Sequence, residues 1–182
     1  EGTYKDNNRQ GKWSWWLEDG QLIEEKYYKD GQLDRQTNYT YHDNGSIKLE
    51  EGYQHGNKNG YWALWYENTQ KHIEGTYKDN NRQGKWSWWL EDGQLIEEKY
   101  YKDGQLDGLS RWWRKDSQIL KQIAYKDDKK DGKWILWDDN GNKELLVNYK
   151  DDKKDGKWIL WDENGYILEE RDYKDGICVN GC

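Results

Sequence analysis

Few side chains in this sequence could do chemistry. His42, His55 and His72 fall in different segments, at or near expected loops or strand ends. His42-Asp43 beside Asn44-Gly45 has the composition of a proton relay, but a solvated turn has it too, and the turn is preferred. There is no HExxH, no glycine-rich phosphate loop after a strand, and no Ser/His/Asp signature. The run DDKKDG places Asp127, Asp128 and Asp131 at the close spacing of calcium ligands. Lys129 and Lys130 interrupt it and no bidentate Glu follows at the required offset, so a solvated loop is preferred. Cys178 and Cys182 offer two ligands where a structural zinc takes four, which favours a frayed pair of thiols or a small local disulfide. The expectation is a chain that is no enzyme, with no catalytic, cofactor-binding or metal-ligating residue.

The remaining chemistry is aromatic. The chain has 14 Trp and 15 Tyr in 182 residues and no Phe. Tyr4, Tyr28, Tyr53, Tyr77, Tyr101, Tyr125, Tyr149 and Tyr173 recur at steps of 24 residues, with one step of 25. A fixed period of this size marks a repeat array. Large flat side chains in rows are anchors for a ligand. The groove candidates are Tyr4, Trp13, Trp15, Trp62, Tyr77, Trp86, Trp88, Tyr101, Trp112, Tyr125, Trp134, Tyr149 and Trp158.

Composition narrows the class. Hydrophobic residues make up 33% and charged residues 36%, values that alone suggest disorder. The aromatics oppose this, because each supplies a large packing area. Little apolar content held in few, large side chains suits a thin repeat array better than one deep core. Net charge is −7, with both signs mixed in every repeat. No basic stripe stands out, so nucleic-acid binding is not expected and membrane binding is disfavoured. No apolar run reaches transmembrane length. A chain that opens on Glu1 and contains no Met reads as a processed or trimmed product from which an export signal can have been lost. A secreted or cell-surface setting is slightly preferred over a cytoplasmic one.

The elements that must position the aromatics are strands. KWSWW and KWILW are short, rich in Trp and Ile, and bounded by turn residues. Asp19-Gly20, Asn140-Gly141 and Asn164-Gly165 predict hairpins with type I′ turns. Each repeat is then a hairpin, and residues 1–182 form one domain of seven full repeats and a C-terminal half-repeat. Residues 1–34 and 74–107 are identical, the mark of a recent duplication or an assembled chain. A two-residue turn at Asn164-Gly165 pairs Glu163 with Tyr166 and Trp161 with Leu168. A loop over Lys150–Asp155 places Tyr149 opposite Gly156, an aromatic covering a glycine. Tyr149, Trp158 and Leu160 then share one face. The other face collects Trp16, Trp65, Trp89, Trp113, Trp137 and Trp161, with Ile23, Ile96, Leu120 and Leu168 beside several of them.

The unit Tyr-Lys-Asp-Gly, Gly-x-Trp, Asn/Asp-Gly is clearest at Tyr101–Gly104 and Gly156–Trp158. It resembles the MORN repeat, in the bacterial variant found in antitoxin-like proteins. The resemblance implies an all-β fold: an elongated single-layer antiparallel sheet of stacked hairpins of about 24 residues, a MORN-like solenoid with an aromatic groove on one face. It implies a binding scaffold, in some members an antitoxin and in others a proposed lipid binder, and assigns no catalytic residue or ligand. Arg35, Thr37 and Ser110 depart from the pattern, so irregular geometry is expected in the second and fifth repeats.

One layer cannot bury both of its faces, and exposed apolar patches mark interaction sites. A protein or peptide partner on the aromatic face is the preferred reading, with an antitoxin or immunity role as one setting. A glycan on the Trp rows is the alternative. Self-association, end to end through unpaired edges or face to face, is a third.

Overall fold

Chain reversal in short hairpins needs left-handed backbone, which Gly, Asn and Asp adopt most readily. In the computed structural model, which describes residues 2–182, two kinds of reversal alternate. The first is a two-residue turn. Asp151 and Asp152 have φ of 47° and 64°, and Lys150 pairs with Lys153 across them. Two left-handed central residues define type I′. Asp6-Asn7, Asp79-Asn80, Asp127-Asp128 and Asp103-Gly104 do the same. The second is a three-residue loop. The Asp162 N–H donates to the Tyr166 carbonyl at 2.9 Å and the Gly165 N–H to the Asp162 carbonyl at 3.0 Å. Here Gly165 is left-handed, at φ 81°, and Asn164 is not. This is the type I turn closed by a left-handed glycine.

These turns correct the sequence expectation at both ends of the hairpin. Asn164-Gly165 does not form a type I′ pair, because the Asp162 carboxylate accepts the N–H groups of Asn164 and Tyr166 at 2.9 and 2.8 Å and shapes a wider loop. Lys150–Asp155 is not an open loop either. Its Asp152 carboxylate accepts the Lys130 N–H at 2.8 Å, while its own N–H donates to the Lys130 carbonyl at 3.0 Å. The Asp79-Asn80 and Asp127-Asp128 turns are fastened to the repeat before them in the same way, through Lys58 and Leu106, which stabilises a conformation that these residues alone favour weakly.

Contacts group the chain into two compact units, divided between Gly93 and Gln94. The first holds β1 (Thr3–Lys5), β2 (Asn8–Trp16), β3 (Leu22–Lys29), β4 (Gln32–Tyr41), β5 (Ile47–Gln54), β6 (Asn57–Trp65), β7 (Lys71–Lys78) and β8 (Asn81–Trp89). Each strand pairs antiparallel with the next. The second holds β9 (Leu95–Lys102), β10 (Gln105–Leu106), β11 (Gly108–Trp113), β12 (Ile119–Lys126), β13 (Lys129–Trp137), β14 (Lys143–Lys150), β15 (Lys153–Trp161), β16 (Ile167–Lys174) and β17 (Ile177–Asn180). It has the same antiparallel order, with β10 and β11 both on β9. No helix occurs among the described residues. The fold is all-β, built from open antiparallel hairpins.

Register agrees with expectation in the strand centres and departs near the turns. Val147 lies opposite Trp158, and Leu160 opposite Glu169. Trp161, however, faces Ile167 rather than Leu168, which sits in a bulge. Tyr149 faces Lys154 rather than Gly156, and Gly156 faces Tyr173 of the following strand. The cause is a bulge that sets Asp155, Gly156 and Lys157 against Asn148 alone, with Gly156 left-handed at φ 98°. Two extra residues preserve the alternation of a strand, so Tyr149 and Trp158 still share a face. We call it the tyrosine face.

The cores are thin. In the first unit Trp86 is 0% exposed and its ring lies over Gly75, where an added Cβ would come within 2.2 Å of it. In the second, Val147 is 1% exposed and lies between Trp134 and Trp158 in register.

Candidate binding face

On the tyrosine face a cation stands opposite each of several tyrosines. Arg9 faces Tyr4, Lys58 faces Tyr53 and Arg82 faces Tyr77 in the first unit. Lys130 faces Tyr125 and Lys154 faces Tyr149 in the second. The arrangement follows from two local rules. A basic residue stands two places before the repeat glycine or its counterpart in five of seven repeats, and the two-residue turn sets that position opposite the tyrosine. The charged heads then lie on rings. Arg9 is 4.9 Å from the Trp13 centroid and 5.2 Å from Tyr28. Arg82 is 4.4 Å from Trp86. Lys130 is 5.3 Å from Trp134 and 5.1 Å from Tyr149, and Lys154 is 4.7 Å from Tyr173. Each such contact stabilises by about 0.5–1 kcal/mol at an exposed site.

Ring contacts group the candidate aromatics within each unit. Tyr4, Trp13 and Trp15 form the first group, with Tyr4 edge-on to Trp13 at 5.0 Å and Trp15 stacked on it at 6.3 Å. Trp62, Tyr77, Trp86 and Trp88 form the second, at 5.0–6.4 Å. Between them the deviant second repeat puts Gln36 and Asn38, joined side chain to side chain at 3.4 Å. In the second unit Trp112 has Lys121 at 4.4 Å and Lys99 at 5.7 Å, while Trp134 and Tyr149 lie 6.2 Å apart. Trp158 is covered by Arg171 at 5.3 Å. Ser110, at the missing Trp position, is buried. Tyr101 and Tyr125 are half-buried on the same row. Trp86 is enclosed, so it supports the face without offering surface.

The cations are what the aromatic reading of the sequence missed. Their signal, a Lys or Arg two residues before glycine, was present but is easily taken for loop solvation. Lys26 is held by Glu24 at 2.7 Å, Lys58 by Glu51 at 3.1 Å and Lys99 by Glu97 at 2.7 Å. Lys121, Lys130 and Lys154 make ring contacts and no ion pair among the described residues. Burial raises the pKa of the Tyr149 hydroxyl; burial and then the Asp152 charge raise that of Tyr125. The hydrogen bond from Arg171 chiefly, with Lys154 nearby, lowers that of Tyr173. The indole N–H groups of Trp13, Trp62 and Trp134 are buried without an acceptor among the described residues.

The opposite face differs between the units. In the first, Glu25, Glu50 and Glu74 flank buried Ser14, Ala63 and Ser87. Burial, and then the charge of Glu25, raise the Glu50 pKa above its ordinary value. In the second unit the corresponding positions hold Ile135, Leu146 and Ile159, which are apolar.

Two of the histidines make contacts between segments of the fold. The His42 ring nitrogen Nε2 lies 2.9 Å from the Trp65 carbonyl, and its side chain is 13% exposed, so it is a staple between repeats rather than a solvated turn. His72 stacks on Tyr66 at 4.4 Å, and His55 takes a left-handed turn position at φ 50°. Cys178 and Cys182 form a disulfide.

The chain matches the MORN repeat variant at residues 9–30, 23–40, 82–103, 130–151 and 154–175, just over half its length. No significant match is found among curated proteins. Among solved structures, the crystal structure of TcdB2-TccC3-Cdc42 is similar over 96% of this chain and 12% of that chain, at 10% identity and a TM-score of 0.36. MORN repeats form a non-enzymatic family, generally of protein- or membrane-binding modules. On these matches, and on the repeated hairpin that carries them, the chain belongs to the MORN repeat variant family.

Proposed function

We propose that this chain is a non-catalytic module that takes a segment of a protein partner on its tyrosine face. The observation that carries the reading is the row of cations seated on Tyr and Trp rings, repeated in both units. Tyr, Trp and Arg are the residues that dominate binding energy in protein interfaces, and the lysines of the row add positive charge beside the rings. Rings capped by cations favour an anionic or mixed peptide over a sugar, which stacks on an uncovered ring. An antitoxin or immunity role is one setting for such capture.

Panning a random peptide-display library against the intact chain tests the reading. Recovered peptides should lose at least about tenfold in affinity when Tyr149→Ala and Trp158→Ala are combined. Trp137→Ala with Trp161→Ala, on the opposite face, should leave affinity within about twofold. Circular dichroism and thermal midpoints establish that both variants remain folded. Peptides that respond only to the opposite-face pair would overturn the proposal.

A further inference from the structure

Resting on that reading, we infer that the second unit binds an extended acidic segment of a protein in polyproline II form, with a carboxylate at every third residue. Lys130 and Lys154 are its reading heads. Both stand on the tyrosine face beside aromatic rings, and neither has an ion-pair partner among the described residues. An ammonium group held over a ring with no carboxylate paired to it is set to take one from a ligand. Lys130 lies on β13 and Lys154, its equivalent 24 residues on, lies on β15, with β14 between the two strands. Two strand steps of roughly 4.8 Å separate the lysines by about 10 Å across the sheet. A polyproline II helix rises about 3.1 Å per residue with three residues per turn, so every third side chain points the same way at about 9 Å intervals. The two spacings agree. An α-helix reaches that distance only after about seven residues.

The surface around the lysines suits the rest of such a ligand. The half-buried Tyr149 ring carries the Lys130 head on it and Tyr173 carries the Lys154 head, so the exposed edges of these rings flank the two cations and offer apolar borders for the prolines. The Asp151 and Asp152 carboxylates lie at the turn, and Asp152 is engaged with the Lys130 N–H. They bound the site on one side and disfavour a ligand of uniform dense charge. The whole chain carries −7, so a polyanion such as nucleic acid is repelled at long range, while a sparsely acidic peptide is repelled little.

A labelled peptide of Glu-Pro-Pro triplets, titrated into the intact chain at near-physiological salt, tests this. The expected result is saturable binding that falls at least about tenfold in the Lys130→Gln, Lys154→Gln double variant. For a peptide of three triplets, the isomer with its three Glu residues in one block should bind at least about fivefold more weakly, because no two carboxylates are then three residues apart to meet both lysines. Equal affinity for both isomers, or no change in the double variant, would falsify the inference. Tighter lysine-dependent binding to phosphatidylserine vesicles or to oligothymidine would assign the heads to another ligand class and overturn it too. If panned peptides need the tyrosine face yet lack spaced acids, the proposed function stands and this inference fails. If no peptide needs the face, both fail.

Discussion

At Gly156 the backbone lies at φ 98°, and nothing nearer than the Asn148 Cβ at 3.4 Å would meet an added Cβ. Conformation rather than space excludes other residues there. Gly156→Ala should therefore cost about 1–2 kcal/mol, measured by chemical denaturation. Gly75 is the converse case. An added Cβ would lie 2.2 Å from the buried Trp86 ring, so Gly75→Ala must displace that ring and should cost about 1–3 kcal/mol. Glu50 supplies a pH-dependent prediction. Its pKa is raised chiefly by burial, so the folded state holds the proton more tightly than the unfolded state. That stability is fully present below the ordinary Glu value of about 4.3 and is lost as pH rises through the raised folded value. Glu50→Gln should raise the thermal midpoint at neutral pH and leave it unchanged at pH about 4. The tyrosine period, the Trp pairs and their sorting between faces were legible in the sequence, because alternation along a strand survives even-numbered bulges. The cation row was not, because a Lys beside Asp residues looks the same whether it solvates a loop or sits on a ring.

At the scale of elements, the hairpin turns separate what propensity can show from what neighbouring repeats decide. Asn-Gly is the strongest short signal for a type I′ turn, yet here Asn164-Gly165 belongs to a three-residue loop shaped by the Asp162 carboxylate. Asp151-Asp152 forms the type I′ turn instead, with its second carboxylate bound to the preceding repeat. That bond joins residues 22 apart, and no local rule could have supplied it. The fourth repeat contains its own control, since the Asn80 side-chain oxygen accepts the Lys58 N–H at 2.8 Å in the same way. Asp152→Asn should then be close to neutral, while Asp152→Ala should lose about 1–2 kcal/mol through the missing acceptor and the left-handed backbone. Denaturation midpoints of the pair decide this. Equal losses for Asn and Ala would show that the carboxylate acts by charge alone.

For the molecule as a whole, local sequence sets local structure. In the two identical stretches, Lys26 pairs with Glu24 and Lys99 with Glu97, both at 2.7 Å, although they lie in different units. Repeats that depend mainly on nearest neighbours behave this way. Reduction of the Cys178–Cys182 disulfide should accordingly lower amide-exchange protection in β17 and leave β13 to β15 unchanged. Function depends on which face a partner takes, and the indole N–H signals report on both faces at once. With the tightest panned peptide added to the intact, nitrogen-15-labelled chain, the Trp134 and Trp158 indole resonances should shift on saturation. Those of Trp137 and Trp161 should stay in place. Shifts confined to Trp137 and Trp161, with Trp134 and Trp158 unmoved, would contradict binding on the tyrosine face.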